Sequence, residues 1–217
     1  MDNLGNYIRL NEIAERVHSS GERVAIILEG RDGAGKSGTV RELTRFLPPY
    51  TFRVQPSFMP SKKMMRNWFS EWQKLLPNHG EIVIYDRSWY SRALLQPVMG
   101  WCSEKQYQNF IYGVNDWEDS QLDLQLVKIW LSIDEIKQRD LLTHRQNDPL
   151  RYWKHSPNDA KAVENFDALT LKKNVMFSLD DWLIVDMANK DVGRNTVLDN
   201  VVKTLDFKGL ATPGPPR

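Results

Sequence analysis

Residues 30–37 read GRDGAGKS and match G-x-x-x-x-G-K-[ST], the pattern of a loop that holds phosphate with its own backbone. Gly30, Gly33 and Gly35 let the chain curl so that its N–H groups, including that of Ala34, converge on phosphate oxygens. The helix that follows adds its positive end. Lys36 supplies a point charge, and the Ser37 hydroxyl suits Mg²⁺ or a phosphate. Asp32 is the anomaly, because a carboxylate facing phosphates repels the ligand that the loop serves. A divalent cation placed between them removes the conflict. The alternative is that Asp32 faces outward and caps the next turn.

A second acid, Asp86, closes the apolar run EIVIY in EIVIYDRSWYSRA, residues 81–93. In an open parallel sheet the ligand crevice lies beyond the carboxyl ends of the strands, so Asp86 is expected near the phosphate loop. Asp32 and Asp86 then make a reasonable Mg²⁺ site, with Arg87 and Arg92 adding guanidinium forks for phosphate oxygens. A helix cap is the plainer reading of Asp86.

The elements that must position these groups follow from five apolar runs, at 24–28, 51–55, 81–85, 124–132 and 181–185. They are rich in β-branched and aromatic residues without strict polar alternation, as in parallel strands covered on both faces. Ser103 with Gln106 and Ser132 with Glu135 have capping-box spacing, and Ser156–Pro157 marks another helix start. Strands alternating with helices indicate an α/β doubly wound domain. The reading is a helical lead-in over 1–22, one domain over 23–207, and a disordered tail over 208–217. Trp68, Trp72 and Leu75 fall at helical spacing and read as one apolar face.

With 29 basic and 28 acidic residues among 217, the chain lacks the excess of a nucleic-acid-coating protein. Any polyanion site must be a local cluster. Lys62, Lys63 and Arg66 form one. Arg145, Arg151 and Lys154 form another, in a segment at about 132–159 that reads as a lid able to fold over bound phosphates. A single cysteine, Cys102, fits a reducing compartment, and neither a signal pattern nor a membrane-length apolar run is evident, so the expectation is a cytoplasmic protein without membrane partners. His79, His144 and His155 have no metal-ligand spacing with Cys102.

A phosphate loop alone leaves ATPases, GTPases, kinases and sulfotransferases open. Three motifs together, GRDGAGKSGT, then GEIVIYDRSWYSRA with VMGW shortly after, then NDPLRYWKHSP, resemble the polyphosphate kinase 2 family over roughly residues 23–205. The resemblance implies a thymidylate-kinase-like P-loop kinase fold: a five-stranded parallel sheet with helices on both faces and a helical lid. It also implies Mg²⁺ and reversible phosphoryl transfer between inorganic polyphosphate and a nucleotide, with diphosphates such as ADP and GDP the expected acceptors. The family's loop Asp and Lys fall on Asp32 and Lys36, its second acid and arginine on Asp86 and Arg87, its further arginine on Arg92, and its lid arginine on Arg145. A dimer or tetramer follows by analogy only.

The departures from the family bear on the acceptor. Ser91 stands where Asn is common and Gln96 where Glu is common, while Lys62 and Lys63 replace residues that are more often acidic. An ATP-dependent nucleoside monophosphate kinase and a non-catalytic polyphosphate or nucleotide binder are the competing readings. In the favoured one the acceptor phosphate is already ionised, so no general base is needed. Catalysis then rests on positioning and charge neutralisation.

Overall fold

The structure is a computed structural model that describes residues 3–56, 58–147, 161 and 163–211, with the backbone alone at 145–147 and 207–211. In chain order the elements are α1 (Leu4–Ser20), β1 (Arg23–Gly30), α2 (Lys36–Leu43), β2 (Phe52–Gln55), α3 (Lys62–Arg66), α4 (Trp68–Gln73) and β3 (Glu81–Asp86). A 3₁₀ turn (Trp89–Arg92), α5 (Leu95–Val98), α6 (Glu104–Asp119), β4 (Leu124–Ser132), α7 (Glu135–Asn147), α8 (Phe166–Phe177), β5 (Leu183–Asp186) and α9 (Lys190–Ala211) follow.

The five strands form one parallel sheet in the order β2-β3-β1-β4-β5. Alternation along β1 shows why it is covered twice. Val24, Ile26 and Leu28 pack with Leu10, Ile13 and Val17 of α1, Leu43 of α2, and Val197, Leu198 and Val201 of α9. Ala25 and Ile27 face the opposite core, with Trp68 and Trp72 of α4, Phe110 and Val114 of α6, and Leu169 and Met176 of α8. A strand buried on both faces has no polar side to show, which is why these runs read as continuously apolar. The face expected from Trp68 and Trp72 is therefore core: their rings meet edge to face at 5.9 Å, and Trp72 meets Trp89 at 5.8 Å. Leu75 is partly buried against the same cluster.

The second core also contains charge. Lys128 of β4, nearly fully buried, pairs with Glu118 and Asp180 and donates to the Tyr90 hydroxyl at 2.9 Å, while the Trp89 indole donates to Glu118 at 2.6 Å. Burial pushes the Glu118 carboxyl up, and the Lys128 charge and its hydrogen bond oppose that rise.

Helix starts test the sequence reading closely. Ser103 and Gln106 form the expected capping box at α6. Ser132 does not cap α7. It is the last residue of β4, its carbonyl accepts the Met187 N–H, and the Asp134 carboxylate instead accepts the N–H of Lys137 at 2.7 Å. α9 continues to Ala211, past the boundary expected at 207, and the Ser156–Pro157 start lies outside the described residues. Among the described residues no helix is long and apolar enough to cross a membrane.

Candidate active site

The phosphate loop leaves the carboxyl end of β1 and enters α2, whose first residue is Lys36. Three of its glycines have positive φ, at Gly30 (154°), Gly33 (86°) and Gly35 (99°), so the curl expected from their spacing is present. At Gly30 the reason is also steric. A Cβ there would stand 2.6 Å from the Leu131 carbonyl oxygen of β4.

Register brings the second acid alongside. Leu28 of β1 pairs with Asp86 of β3, and the Arg87 N–H donates to the Leu28 carbonyl at 3.1 Å. The Ser37 hydroxyl donates to Asp86 Oδ2 at 3.1 Å, which sets two oxygen donors side by side at the head of α2. The counter-charge to Asp32 is Arg87, whose Nη2 donates to Asp32 Oδ1 at 2.8 Å. Burial works against the Arg87 cation, but Asp32, Glu29 and Asp86 outweigh it and hold its pKa above the ordinary arginine value. Arg87 has φ 66°, the sole positive φ outside glycine among the described residues. Such a backbone is tolerated where its surroundings over-determine it.

Glu29 supplies much of that determination, and the sequence reading missed it. Its carboxylate is fully buried at the end of β1 and accepts the Ser88 N–H at 2.8 Å and the Ser88 hydroxyl at 3.0 Å. Its other oxygen accepts no hydrogen bond among the described residues and lies 3.6 Å from Arg87 Nη1. The signal was present as a carboxylate directly after the apolar run VAIIL, where burial demands a partner.

Lys36 is buried, and its Nζ donates to the carbonyls of Gly30 and Arg31, each at 3.0 Å. Burial and then the Arg87 charge lower its pKa to about 8, against the pull of Asp32, Asp86 and Glu29. The Ala34 N–H is turned within the loop to the Arg31 carbonyl at 3.2 Å. Lys190 of α9 steadies the far side, donating to the Gly33 carbonyl at 3.1 Å.

Asp32, Lys36, Ser37, Asp86 and Arg87 thus converge, and Arg92 does not join them. In a 3₁₀ turn residues three apart eclipse, so Arg92 shares the inward face of Trp89. It is 1% exposed, lies 4.3 Å over the Trp68 ring, and donates to the Met65 carbonyl at 3.0 Å. Gln96 is 1% exposed, and neither of its carboxamide atoms has a partner among the described residues. Lys62, Lys63 and Arg66 are exposed on α3, where the Ser61 hydroxyl accepts the Met64 N–H and Lys63 faces Glu71 at 3.4 Å. The Arg145 side chain, Arg151 and Lys154 lie outside the described residues.

The donors beside the loop are carboxylate and hydroxyl oxygens, the chemistry that Mg²⁺ takes, and among the described residues no group of histidines, cysteines and acids competes for it. No group of three or more acids, histidines or cysteines placed to hold a metal ion exists among the described residues, so protein oxygens alone would not saturate a metal. That fits an ion which keeps waters and shares substrate phosphates.

Comparison with known proteins agrees with this geometry. The family model "Polyphosphate kinase 2 (PPK2)" matches residues 3–212. The GDP-polyphosphate phosphotransferase of Mycobacterium tuberculosis is 32% identical over 97% of this chain and 74% of its own length. The ADP-polyphosphate phosphotransferase of Pseudomonas aeruginosa is 34% identical over 91% of this chain and 67% of its own. The crystal structure of polyphosphate kinase 2 from Arthrobacter aurescens superposes with a TM-score of 0.87 at 25% identity, covering 98% of this chain and 79% of that one. The chain belongs to the polyphosphate kinase 2 family.

Proposed function

We propose that this chain transfers a phosphoryl group between inorganic polyphosphate and a nucleoside diphosphate, reversibly and with Mg²⁺, forming ATP or GTP from ADP or GDP. The observation that carries the reading is the pairing of two acids with cations at one phosphate loop: Asp32 with Arg87, and Asp86 against Ser37 beside Lys36. A polyanionic donor and an anionic acceptor repel each other, so such a site must neutralise charge first and align the reacting atoms second.

The roles follow from position. Loop N–H groups and the head of α2 hold donor phosphates, and Lys36 turns from the loop carbonyls to a donor oxygen. Asp32 and Asp86 would hold Mg²⁺, directly or through water, with Ser37 adjacent. When bound, the ion would supply positive charge against the phosphates and against the charge that develops on transfer. Arg87, released from Asp32, faces the transferring group. The acceptor oxygen is already ionised, so the chain need not remove a proton.

Lys62, Lys63 and Arg66 give a long polyanion an exposed electrostatic landing area. Arg145 is assigned to phosphate contacts on the family resemblance, and Arg151 and Lys154 on their place in the basic segment read as a lid. Arg92, whose guanidinium donates to the Met65 carbonyl and lies over the Trp68 ring, would have to leave both to reach a phosphate. A cytoplasmic setting suits these substrates and the single free Cys102. Assembly as a homodimer or homotetramer follows by analogy with the family alone.

The test is an acceptor panel of ADP, GDP, AMP and GMP, each with long-chain polyphosphate and Mg²⁺ and no other donor. ATP or GTP from the diphosphates supports the reading. Activity only with ATP plus a monophosphate, or tight binding without transfer, overturns it.

A further inference from the structure

Two consecutive residues of the phosphate loop are each held by one of two helices, α7 and α8, and the next, Gly33, lies against α7. Arg31 reaches α8. Its guanidinium lies 3.5 Å over the Phe166 ring and donates to the Phe166 carbonyl at 3.1 Å and to the Thr170 hydroxyl at 2.5 Å. Asp32 is held through its backbone, its carbonyl accepting the Gln138 carboxamide of α7 at 3.1 Å. At Gly33, an added Cβ would stand 3.5 Å from Leu141 and 3.8 Å from Leu142, both on α7.

These contacts are unusual for their chemistry. Arg31 is 4% exposed, yet among the described residues its hydrogen bonds go to a neutral carbonyl and a neutral hydroxyl rather than to a carboxylate. Burying a guanidinium that way is costly, and a surface residue would hold the loop to water without the cost. Gln138 is 1% exposed and spends its donor on one loop carbonyl while its own oxygen has no partner among the described residues. Buried polar groups left half satisfied point to a constraint other than packing.

We infer that Arg31 and Gln138 are positioning residues that fix the backbone on both sides of the Asp32 carboxylate, and so set how that carboxylate is presented to Mg²⁺ and to Arg87. The inference rests on the assignment of Asp32 to the metal. The Arg31 side chain fixes the residue before Asp32, and Gln138 fixes the peptide immediately after it. The Asp32 side chain retains little more than its own rotamers. Linkage makes the effect reciprocal: a Mg²⁺–phosphate ligand that orders the loop must also slow the opening of α7 through Gln138 and of α8 through Arg31.

The experiment compares wild type with Gln138→Met, Arg31→Met, Arg31→Lys and Thr170→Val. Amide hydrogen exchange is followed over 135–144 and 166–177, with and without Mg²⁺ and tripolyphosphate, and the Mg²⁺ concentration at half-maximal turnover is measured alongside. In wild type the ligand slows exchange in both helices. Gln138→Met loses the slowing in α7 alone, Arg31→Met loses it in α8 alone, Thr170→Val weakens it there, and Arg31→Lys partly restores it. Half-saturation by Mg²⁺ rises about tenfold in Gln138→Met and Arg31→Met, the usual size of effect for a group that orients a ligand residue. If Arg31→Met fails to fold, Thr170→Val removes one of the link's two hydrogen bonds from the helix side and should weaken the slowing in α8. Unchanged exchange responses with unchanged Mg²⁺ dependence overturn the inference, whatever happens to the melting temperature. Loss of helix-specific protection in the variants alongside a wild type that cannot use polyphosphate would instead sink the proposed substrate and leave the positioning role standing.

Discussion

Arg87 donates to Asp32 at 2.8 Å across the mouth of the sheet, joining two residues 55 apart in sequence and answering why a carboxylate sits in a phosphate cradle. Asp32 is neutralised by a neighbour that is itself suited to phosphate. On the proposed function, a polyanion and Mg²⁺ would part the two, each gaining a stronger opposite charge.

Removing the arginine tests this exchange. In Arg87→Met, Asp32, Glu29 and Asp86 lose the cation they share, so the melting temperature should fall. Mg²⁺ added without phosphate should recover more of that loss than it adds to wild type, because Arg87 no longer competes for Asp32. Thermal shift across a Mg²⁺ titration reads the difference directly. Turnover should drop by about 10²- to 10³-fold, the size expected for losing one oriented charge at the transferring group.

Asp86→Asn separates metal binding from folding. The carboxamide can still accept the Ser37 hydroxyl, so the melting temperature should stay near wild type. With the negative charge gone, phosphoryl transfer should fall by about 10²-fold or more at any Mg²⁺ concentration tried. Near-normal turnover would remove Asp86 from the reaction.

Much of this site was legible because its signals are local. Glycine spacing in GRDGAGKS dictates the curl of the loop, and two flanking apolar strands place Asp86 at the same edge. What was not legible depends on partners distant in sequence or on fine helical phase. Arg92 follows Asp86 closely and reads as a phosphate ligand, but a single 3₁₀ turn carries it to the inward side with Trp89. Glu29 looks like the last residue before a loop, yet its burial against Ser88 and Arg87 depends on strand pairing across the sheet. Ser132 and Glu135 have the right spacing for a cap, but the serine belongs to the strand that pairs with β5, and Asp134 does the capping.

Lys36 should give the reaction an alkaline limb. Its pKa is lowered to about 8 in the free site, so binding of a polyanion that needs the charged amine should weaken as pH rises through that value. The profile of kcat/KM should turn down near pH 8. That of kcat should turn down later, since a bound phosphate restores the charged form. Lys36→Arg, though slower, should lack this limb. The sign for stability is opposite to that for binding: between about 8 and the ordinary 10.5 the unfolded chain carries a proton that the folded one does not, so this residue makes stability rise with pH.

Lys128 offers a test remote from the chemistry. Its amine is the buried counter-charge of Glu118, which also accepts hydrogen bonds from Trp89 and Tyr90. Lys128→Met should cost about 3–5 kcal/mol, because an acid is left in the core without its cation. Glu118, already raised by burial, would then rise further. A raised acid binds its proton in the folded state while the unfolded chain has lost it, so the variant's deficit should widen as pH climbs above the ordinary 4.5 and narrow on acidification. Adding Glu118→Gln should recover a large part of the loss in urea melts while leaving kcat unchanged in both variants. A single-site loss that is insensitive to pH and not recovered by the second change would show that Lys128 acts through its packing rather than its charge.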